Sequence, residues 1–501
     1  MVQGQIAKGA IISYIAIFLN IAITFFYTPW MIRQIGVSDY GLYSLVGTFI
    51  SYFIIDFGLS GAITRFIAKY RAEGYQKKVE NMLGLTTKVY LCIDSVIFLT
   101  LFVCYFFIKE IFAGLTPEEI EKLKVLYVIA GSFSVLSFVW HPMNGAMMAY
   151  EYFVENKLMD MFHKVGTVVL IVIALLLDGG VYELVFITGA VGFISQLFKY
   201  LIFKYKSRIK INWSYFDKKE MKGLLSFSGW VFMTSMAQRF RLTLIPTILG
   251  ILANTTEISI FALGMTIEAM TYTLSSALNG LFLPKVTRML HAENGGKELT
   301  NLMIRVGRIQ LFIIGLIIMG FWLVGSEFLH LWVGDKFSNS YYVVLLLTVF
   351  NIVSLTQHIA NDVVYAENKV RFTASLTFVS SALSLIGSLL LASSFGAVGC
   401  ALAFCFAMTL NLVWLNIFYR RTLQLEIGRF FRECHGHILP LLFVLTIMAF
   451  VVKYYIVLDS WFSLFAFITV YAFVYLSVAY IFLFNKDEKN LIPLTFFKNG
   501  K

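Results

Sequence analysis

Two arginines, Arg239 and Arg241, stand inside an apolar stretch that runs from about 223 to 250. A guanidinium stays charged in proteins, and one at the centre of a membrane helix costs roughly 2.5 to 3.5 kcal/mol. Such a residue is kept where it binds an anion or closes an ion pair. Residues two apart point about 200° apart on a helix, so the pair cannot serve one site. Gln238 shares the face of Arg241. That makes Arg241 the expected cation of a polar cavity, able to hold an anionic group through charge-assisted N–H bonds. Arg239 is the second candidate for the substrate, or turns to a partner such as Glu268, in the middle of the next apolar stretch (Thr266-Ile267-Glu268-Ala269). Glu268 and Asp56 (Ile54-Ile55-Asp56-Phe57-Gly58) are the acids assigned to pairing or ion coupling. On the first apolar stretch Ser13, Asn20, Thr24 and Tyr27 follow at helical spacing and share one stripe, so Asn20 and Thr24 join the expected substrate contacts.

The elements that must carry these residues are transmembrane helices. Apolar stretches lie near 9–32, 41–64, 89–108, 125–149, 162–177, 181–198, 223–250, 257–283, 309–327, 340–361, 372–392, 397–419, 437–452 and 460–484. Most match the length a helix needs to cross about 30 Å of hydrocarbon. Lysine and arginine fall on alternate gaps. With the N-terminus in the cytoplasm, inner gaps and both termini hold 32 of the 40 cations. The outer gaps hold six: Arg33, Lys109, Lys122, Lys124, Lys336 and Lys453. The two left over are Arg239 and Arg241. A missed or invented span would reverse the signs from that point on, so the steady alternation predicts fourteen spans with both ends inside.

With 59% hydrophobic and 14% charged residues, the chain is no ordinary soluble domain. The net charge of +11 reflects the orientation of inner loops and not nucleic-acid binding. Cys92, Cys104, Cys400, Cys405 and Cys434 have no metal spacing and no disulfide framework, and no cofactor is expected. The first span is too long for a signal-peptide core and runs into Pro29, Trp30 and Arg33. No gap exceeds about twenty-five residues, well short of a domain. Nucleotide-binding and zinc-protease motifs are missing. The outer loop 109–124, with Pro117-Glu118-Glu119-Ile120-Glu121, is too short for a glycosyltransferase or polymerase site, so an enzyme is not expected.

The spans fall into two six-helix lobes plus a pair. Shifting the sequence by 217 residues brings Pro29 onto Pro246, and Gly36–Tyr43 onto Ala253–Ile260. Ile63-Thr64-Arg65 similarly echoes Val286-Thr287-Arg288. Six spans separate the copies, so the repeat is parallel, a common transporter plan. The expected divisions are a first lobe over 1–203, a basic cytoplasmic linker over 204–222, a second lobe over 223–421, and helices 13 and 14 with the tail over 422–501. Thr24 then corresponds to Arg241, and Thr234, Gln238 and Arg241 mirror the stripe of span 1. Other polar residues have plainer readings. Asp94 lies within span 3. His141, in Trp140-His141-Pro142, reads as a hydrogen-bonded structural group. His358 and Asp362 read as a solvated helix end.

The segment Gly36-Val37-Ser38-Asp39-Tyr40-Gly41-Leu42-Tyr43, followed by Asp56-Phe57-Gly58-Leu59 and Arg65, resembles the polysaccharide and O-antigen flippases of the Wzx type. These belong to the multidrug/oligosaccharidyl-lipid/polysaccharide exporter superfamily. The resemblance implies an all-α, multi-pass protein of the bacterial cytoplasmic membrane. It would move an undecaprenyl-diphosphate-linked oligosaccharide from the inner to the outer leaflet by alternating access. Its implied partners are that lipid-linked substrate, membrane lipids, and the polysaccharide polymerase and chain-length proteins. A multidrug or cation antiporter on the same fold is the alternative. Drug exporters often carry an acid in the first lobe for coupling, and span 1 has none.

Overall fold

The computed structural model describes residues 21, 23–51, 59–224, 242–275, 286, 289–290, 295–367 and 369–483. Every element among them is helical. Those of eight residues or more are, in chain order, α1 (23–35), α2 (Val37–Ser51), α3 (Leu59–Ala72), α4 (Gln76–Phe106), α5 (Pro117–Phe138), α6 (Pro142–Ala149), α7 (Phe153–Leu176), α8 (Val181–Ser207), α9 (Ile245–Leu252) and α10 (Thr255–Ser275). Then follow α11 (Gly295–Val333), α12 (Ser340–Thr348), α13 (His358–Ala366), α14 (Val370–Thr422), α15 (Gly436–Tyr454) and α16 (Trp461–Val478).

Nine stretches among the described residues are long and apolar enough to cross a membrane. They coincide with ten of the stretches read from the sequence, because the 53-residue α14 holds two. Gly396 breaks it, with φ +54° and ψ −137°, a left-handed conformation that favours glycine. The amide of Ala397, which opens the second half, donates to Glu257 Oε2 at 2.7 Å, a carboxylate at a helix N-terminus. The other four stretches, near 9–32, 41–64, 223–250 and 257–283, each contain residues outside the described set.

Two compact units divide the chain: Met1–Ala262 with Ser381–Cys400, and Leu263–Ser380 with Ala401–Lys501. In the first unit one rim gathers the start of α2, the start of α5 and the start of α10. Glu119 Oε1 accepts from Ser38 Oγ and from Thr255 Oγ1, each at 2.7 Å, while Lys122 Nζ pairs with Asp39 at 2.8 Å. Thr116 and Glu119 form a reciprocal capping box that fixes the entry to α5. A Cβ on Gly41 would fall 2.4 Å from the carbonyl oxygen of Thr255, so only glycine lets α2 approach α10 so closely. At the other rim Arg71 donates to Ala149 O at 2.6 Å, and Lys206 pairs with Glu155. There the segment after α8 is strapped down: Asn212 N bonds Glu80 O at 3.2 Å, and Lys88 Nζ bonds Tyr215 O at 3.2 Å.

In the second unit Lys453 Nζ bonds Glu327 and Leu323 O on one rim. On the other, Lys369 Nζ reaches Thr422 O at 3.1 Å, and buried Arg308 donates to Glu433 O and Leu483 O. Those two carbonyls lie in wide π turns, Phe431–His435 and Ala479–Leu483. Hydrocarbon gives little drive for helices to associate, so direct hydrogen bonds between helices carry part of the cohesion. Examples are Gln357 Nε2 to Asn416 Oδ1 at 2.6 Å and Tyr475 OH to Phe312 O at 2.8 Å. Each rim contact named here joins segments that the charge alternation assigns to one side.

Two charged residues differ from their sequence reading. Lys199 follows the apolar stretch 181–198 and so falls in a gap that the charge alternation makes cytoplasmic, yet α8 continues to Ser207 and buries it at 4% exposure. Asp362, read as part of a solvated helix end, is 4% exposed, on the same buried side of α13 as Ile359 and Val363.

Candidate functional site

A cavity of about 620 Å³ lies within the first unit, bounded by α2, α5, α7 and α8. Helical periodicity puts a polar stripe on each wall. Ser44, Thr48 and Ser51 line it from α2; Ser134 and Ser137 from α5, with His141 just beyond; Thr188 and Gln196 from α8. His163 of α7 packs beside Gly192 of α8 in the lining, its Nε2 3.4 Å from where a Cβ there would stand. Tyr43 OH lies 3.5 Å from Thr188 Oγ1.

Several of these hydroxyls donate back along their own helices. Thr48 Oγ1 bonds Ser44 O at 2.9 Å, Ser137 Oγ bonds Phe133 O at 2.6 Å, and Thr188 Oγ1 bonds Leu184 O at 2.7 Å. With the proton committed to a carbonyl, each oxygen keeps lone pairs to offer elsewhere. The buried Oε1 of Gln196 has no hydrogen-bond partner among the described residues. An unsatisfied buried acceptor is costly, by about 1 to 3 kcal/mol, and suits a site completed by a ligand or water. Among the described residues, no Lys, Arg, Asp or Glu lines the cavity. One turn past Gln196, Lys199 Nζ bonds Asp160 Oδ1 at 2.8 Å and Asn144 Oδ1 at 2.9 Å. That cation is already committed. The arrangement offers hydroxyl, amide and imidazole groups to a neutral, hydroxyl-rich group.

Residues 6–290, more than half of the chain, match the family described as polysaccharide biosynthesis protein. The chain belongs to this family. It is similar over nearly its whole length to an uncharacterized membrane protein of Bacillus subtilis, EpsK, with 20% identity over 497 residues and 96% of each chain covered. A probable low-salt glycan biosynthesis flippase of Haloferax volcanii is 22% identical over 195 residues, 39% of this chain and 41% of that one. In fold it is similar to the lipid II flippase MurJ in an inward closed conformation. The TM-score is 0.73 at 13% identity, covering 95% of this chain and 99% of MurJ. This polysaccharide biosynthesis protein is thus a multi-pass helical membrane protein with the MurJ-like fold.

The family motif after α1 now has a physical reading, residue by residue. Ser38 and Asp39 tie α2 to the start of α5, Gly41 admits α10, Leu42 is fully buried, and Tyr43 reaches the cavity. Of the residues singled out from the sequence, Thr24 is half-buried on α1. Glu268 accepts from Asn351 Nδ2 at 3.3 Å in the second unit. Asn20, Asp56, Gln238, Arg239 and Arg241 lie outside the described residues. His141 Nδ1 sits 3.3 Å from Ser137 O. Asp94 is buried, with Oδ1 unpartnered among the described residues. The cavity residues of α2, α5 and α8 are neutral, so intramembrane charge does not point to them. Their signal was present as polar positions recurring every three or four residues. No group of three or more His, Cys, Asp or Glu among the described residues is placed to hold a metal.

Proposed function

We propose that this protein is a flippase that moves an undecaprenyl-diphosphate-linked oligosaccharide from the inner to the outer leaflet of the bacterial cytoplasmic membrane by alternating access. The observation that carries the reading is the uncharged, acceptor-rich lining of the 620 Å³ cavity, inside a chain of the polysaccharide biosynthesis family. Sugar hydroxyls need acceptors at many angles, and a volume of this size is within the range of small-ligand sites. A lipophilic cation would call for a carboxylate, and the described lining has none. The diphosphate falls to Arg241, Gln238 and, unless it pairs with an acid, Arg239, with Asn20 and Thr24 from the corresponding stripe of span 1, and Glu268 and Asp56 serve pairing or coupling. On this reading 1–203 and 223–421 are the moving lobes, 204–222 links them, and both termini are cytoplasmic. The polymerase and chain-length proteins take up the delivered substrate.

The test is deletion of the gene in its host. Lipid-linked oligosaccharide is expected to accumulate facing the cytoplasm while the surface glycan is lost. Complementation with Gln196→Leu or His163→Phe should restore membrane abundance but little glycan. Unchanged glycan display together with new drug sensitivity would overturn the proposal in favour of an antiporter.

A further inference from the structure

A second cavity, about 760 Å³, lies in the second unit between the first and last turns of α14, at its two paired ends. Its head is basic. Lys369, Arg371 and Arg421 line it, and Glu367 pairs with Lys369. Lys369 Nζ also bonds Thr422 O, so this lysine braces the two helix ends together. Arg371 and Arg421 supply the remaining positive charge. Directly below, Phe372 and Phe418 stack with ring centroids 4.4 Å apart, and Trp414 adds a third aromatic wall. Further down the walls are Leu376, Val379 and Ile417. Phe372, Val379 and Ile417 are each more than two-fifths exposed, so the groove opens sideways and not into the bundle.

Cations, then aromatic rings, then aliphatic walls is the order of groups met on passing from water through the interface into hydrocarbon. Loop arginines imposed by insertion alone need no cavity and no aromatic platform beneath them. We propose that this groove binds one anionic phospholipid of the cytoplasmic leaflet. Its phosphate sits between Arg371 and Arg421, and an acyl chain lies along Leu376, Val379 and Ile417. Guanidinium groups match phosphate oxygens in paired N–H bonds. Basic pockets between helices on this side of a membrane are suited to such headgroups. The occupant is a resident lipid and not the transported one, since the site lies on the outer surface of one helix pair.

The experiment uses the full chain, purified and delipidated in neutral detergent. Dioleoyl phosphatidylglycerol or dioleoyl phosphatidylcholine is added back while thermal stability and lipid retained in native mass spectra are followed. Phosphatidylglycerol is expected to stabilise saturably, and phosphatidylcholine not. Each arginine removed should weaken the apparent affinity about fivefold, and Arg371→Gln with Arg421→Gln about thirtyfold. The double change to lysine, Arg371→Lys with Arg421→Lys, should retain most binding and guards against misfolding. Arg420→Gln, one residue away but outside the lining, should leave binding within twofold. If Arg420→Gln weakens binding as much as Arg421→Gln, or both lipids act alike, the groove is no site and the effect is diffuse surface charge. A response to lipid-linked pyrophosphate but not to phosphatidylglycerol would equally overturn the proposal, assigning the groove to substrate while leaving the flippase reading intact.

Discussion

The buried ion pair near the cavity makes an asymmetric prediction. Lys199 is 5% exposed in its side chain, whereas Asp160, its partner at 2.8 Å, is 43% exposed. Removing one member of a buried pair costs about 3 to 5 kcal/mol when the survivor stays desolvated. Asp160→Asn strands the ammonium among α6, α7 and α8 with Asn144 as its remaining strong acceptor. That change should approach the full penalty, lowered somewhat by the amide oxygen of the new Asn. Lys199→Met leaves a carboxylate that already meets solvent and keeps Lys157 at 3.7 Å, while methionine fills much of the vacated volume. Its cost should be about 1 kcal/mol, near the value of a partly exposed pair. The double change should resemble Lys199→Met alone, because the stranded cation is gone, so the two single effects will not add. Thermal unfolding in detergent, followed by size exclusion, ranks the three variants against wild type. The reasoning is refuted if Lys199→Met proves as damaging as Asp160→Asn, or if the double variant shows the sum of both losses.

Three further outcomes are expected. Gly41→Ala should destabilise by roughly 1 to 3 kcal/mol through overpacking, because the rigid Thr255 carbonyl cannot yield; Gly61→Ala on α3, where nothing lies within 4 Å, should be neutral or slightly stabilising in the same unfolding assay. Glu119→Gln should keep the Thr116 cap but weaken the bonds from Ser38 and Thr255, whereas Glu119→Ala loses all of them, about 2 to 3 kcal/mol for a group of charge-assisted bonds at a half-buried rim; equal stability of the two variants would count against the carboxylate's role. Arg241→Ala should abolish glycan export at normal membrane abundance and Arg241→Lys should retain part, measured by surface-glycan staining of complemented cells.

What could be read in the sequence divides by range. The apolar stretches and their alternating charge depend on local composition, and ten of the stretches reappear as the long helices of the described residues. The turn expected between 392 and 397 falls at Gly396. Facing direction is a tertiary property, and it was legible only in part. Lys199 looked like a loop cation because the apolar run ends at 198, yet the helix continues and turns it inward. Asp362 follows the same logic at the end of α13. The role of Glu119 was invisible, since its partners Ser38 and Thr255 are 81 and 136 positions away. One long-range contact did leave a trace. The offset of 217 that aligns the repeat pairs Ser38 with Thr255, and these two hydroxyls lie 3.3 Å apart over one carboxylate.

On the flippase proposal, the division between a neutral cavity and a separate cation has a physical logic. A carrier must release what it binds. Neutral hydrogen bonds exchange against water for a net of about 0.5 to 1.5 kcal/mol each, so a lining such as Ser44, Ser134, Thr188 and Gln196 can hold a glycan loosely and tolerate variation in its sugars. A diphosphate cannot be left unpaired in a poorly hydrated site, and many fixed cations would trap it. One or two arginines, the role proposed for Arg241, meet both demands. Committing Lys199 to Asp160 and Asn144 keeps a third cation from competing for the phosphates next to the glycan site. By this reasoning Asp160→Asn should impair transport beyond its effect on abundance, since it releases the ammonium of Lys199 beside Gln196, and Lys199→Met in the same background should restore turnover.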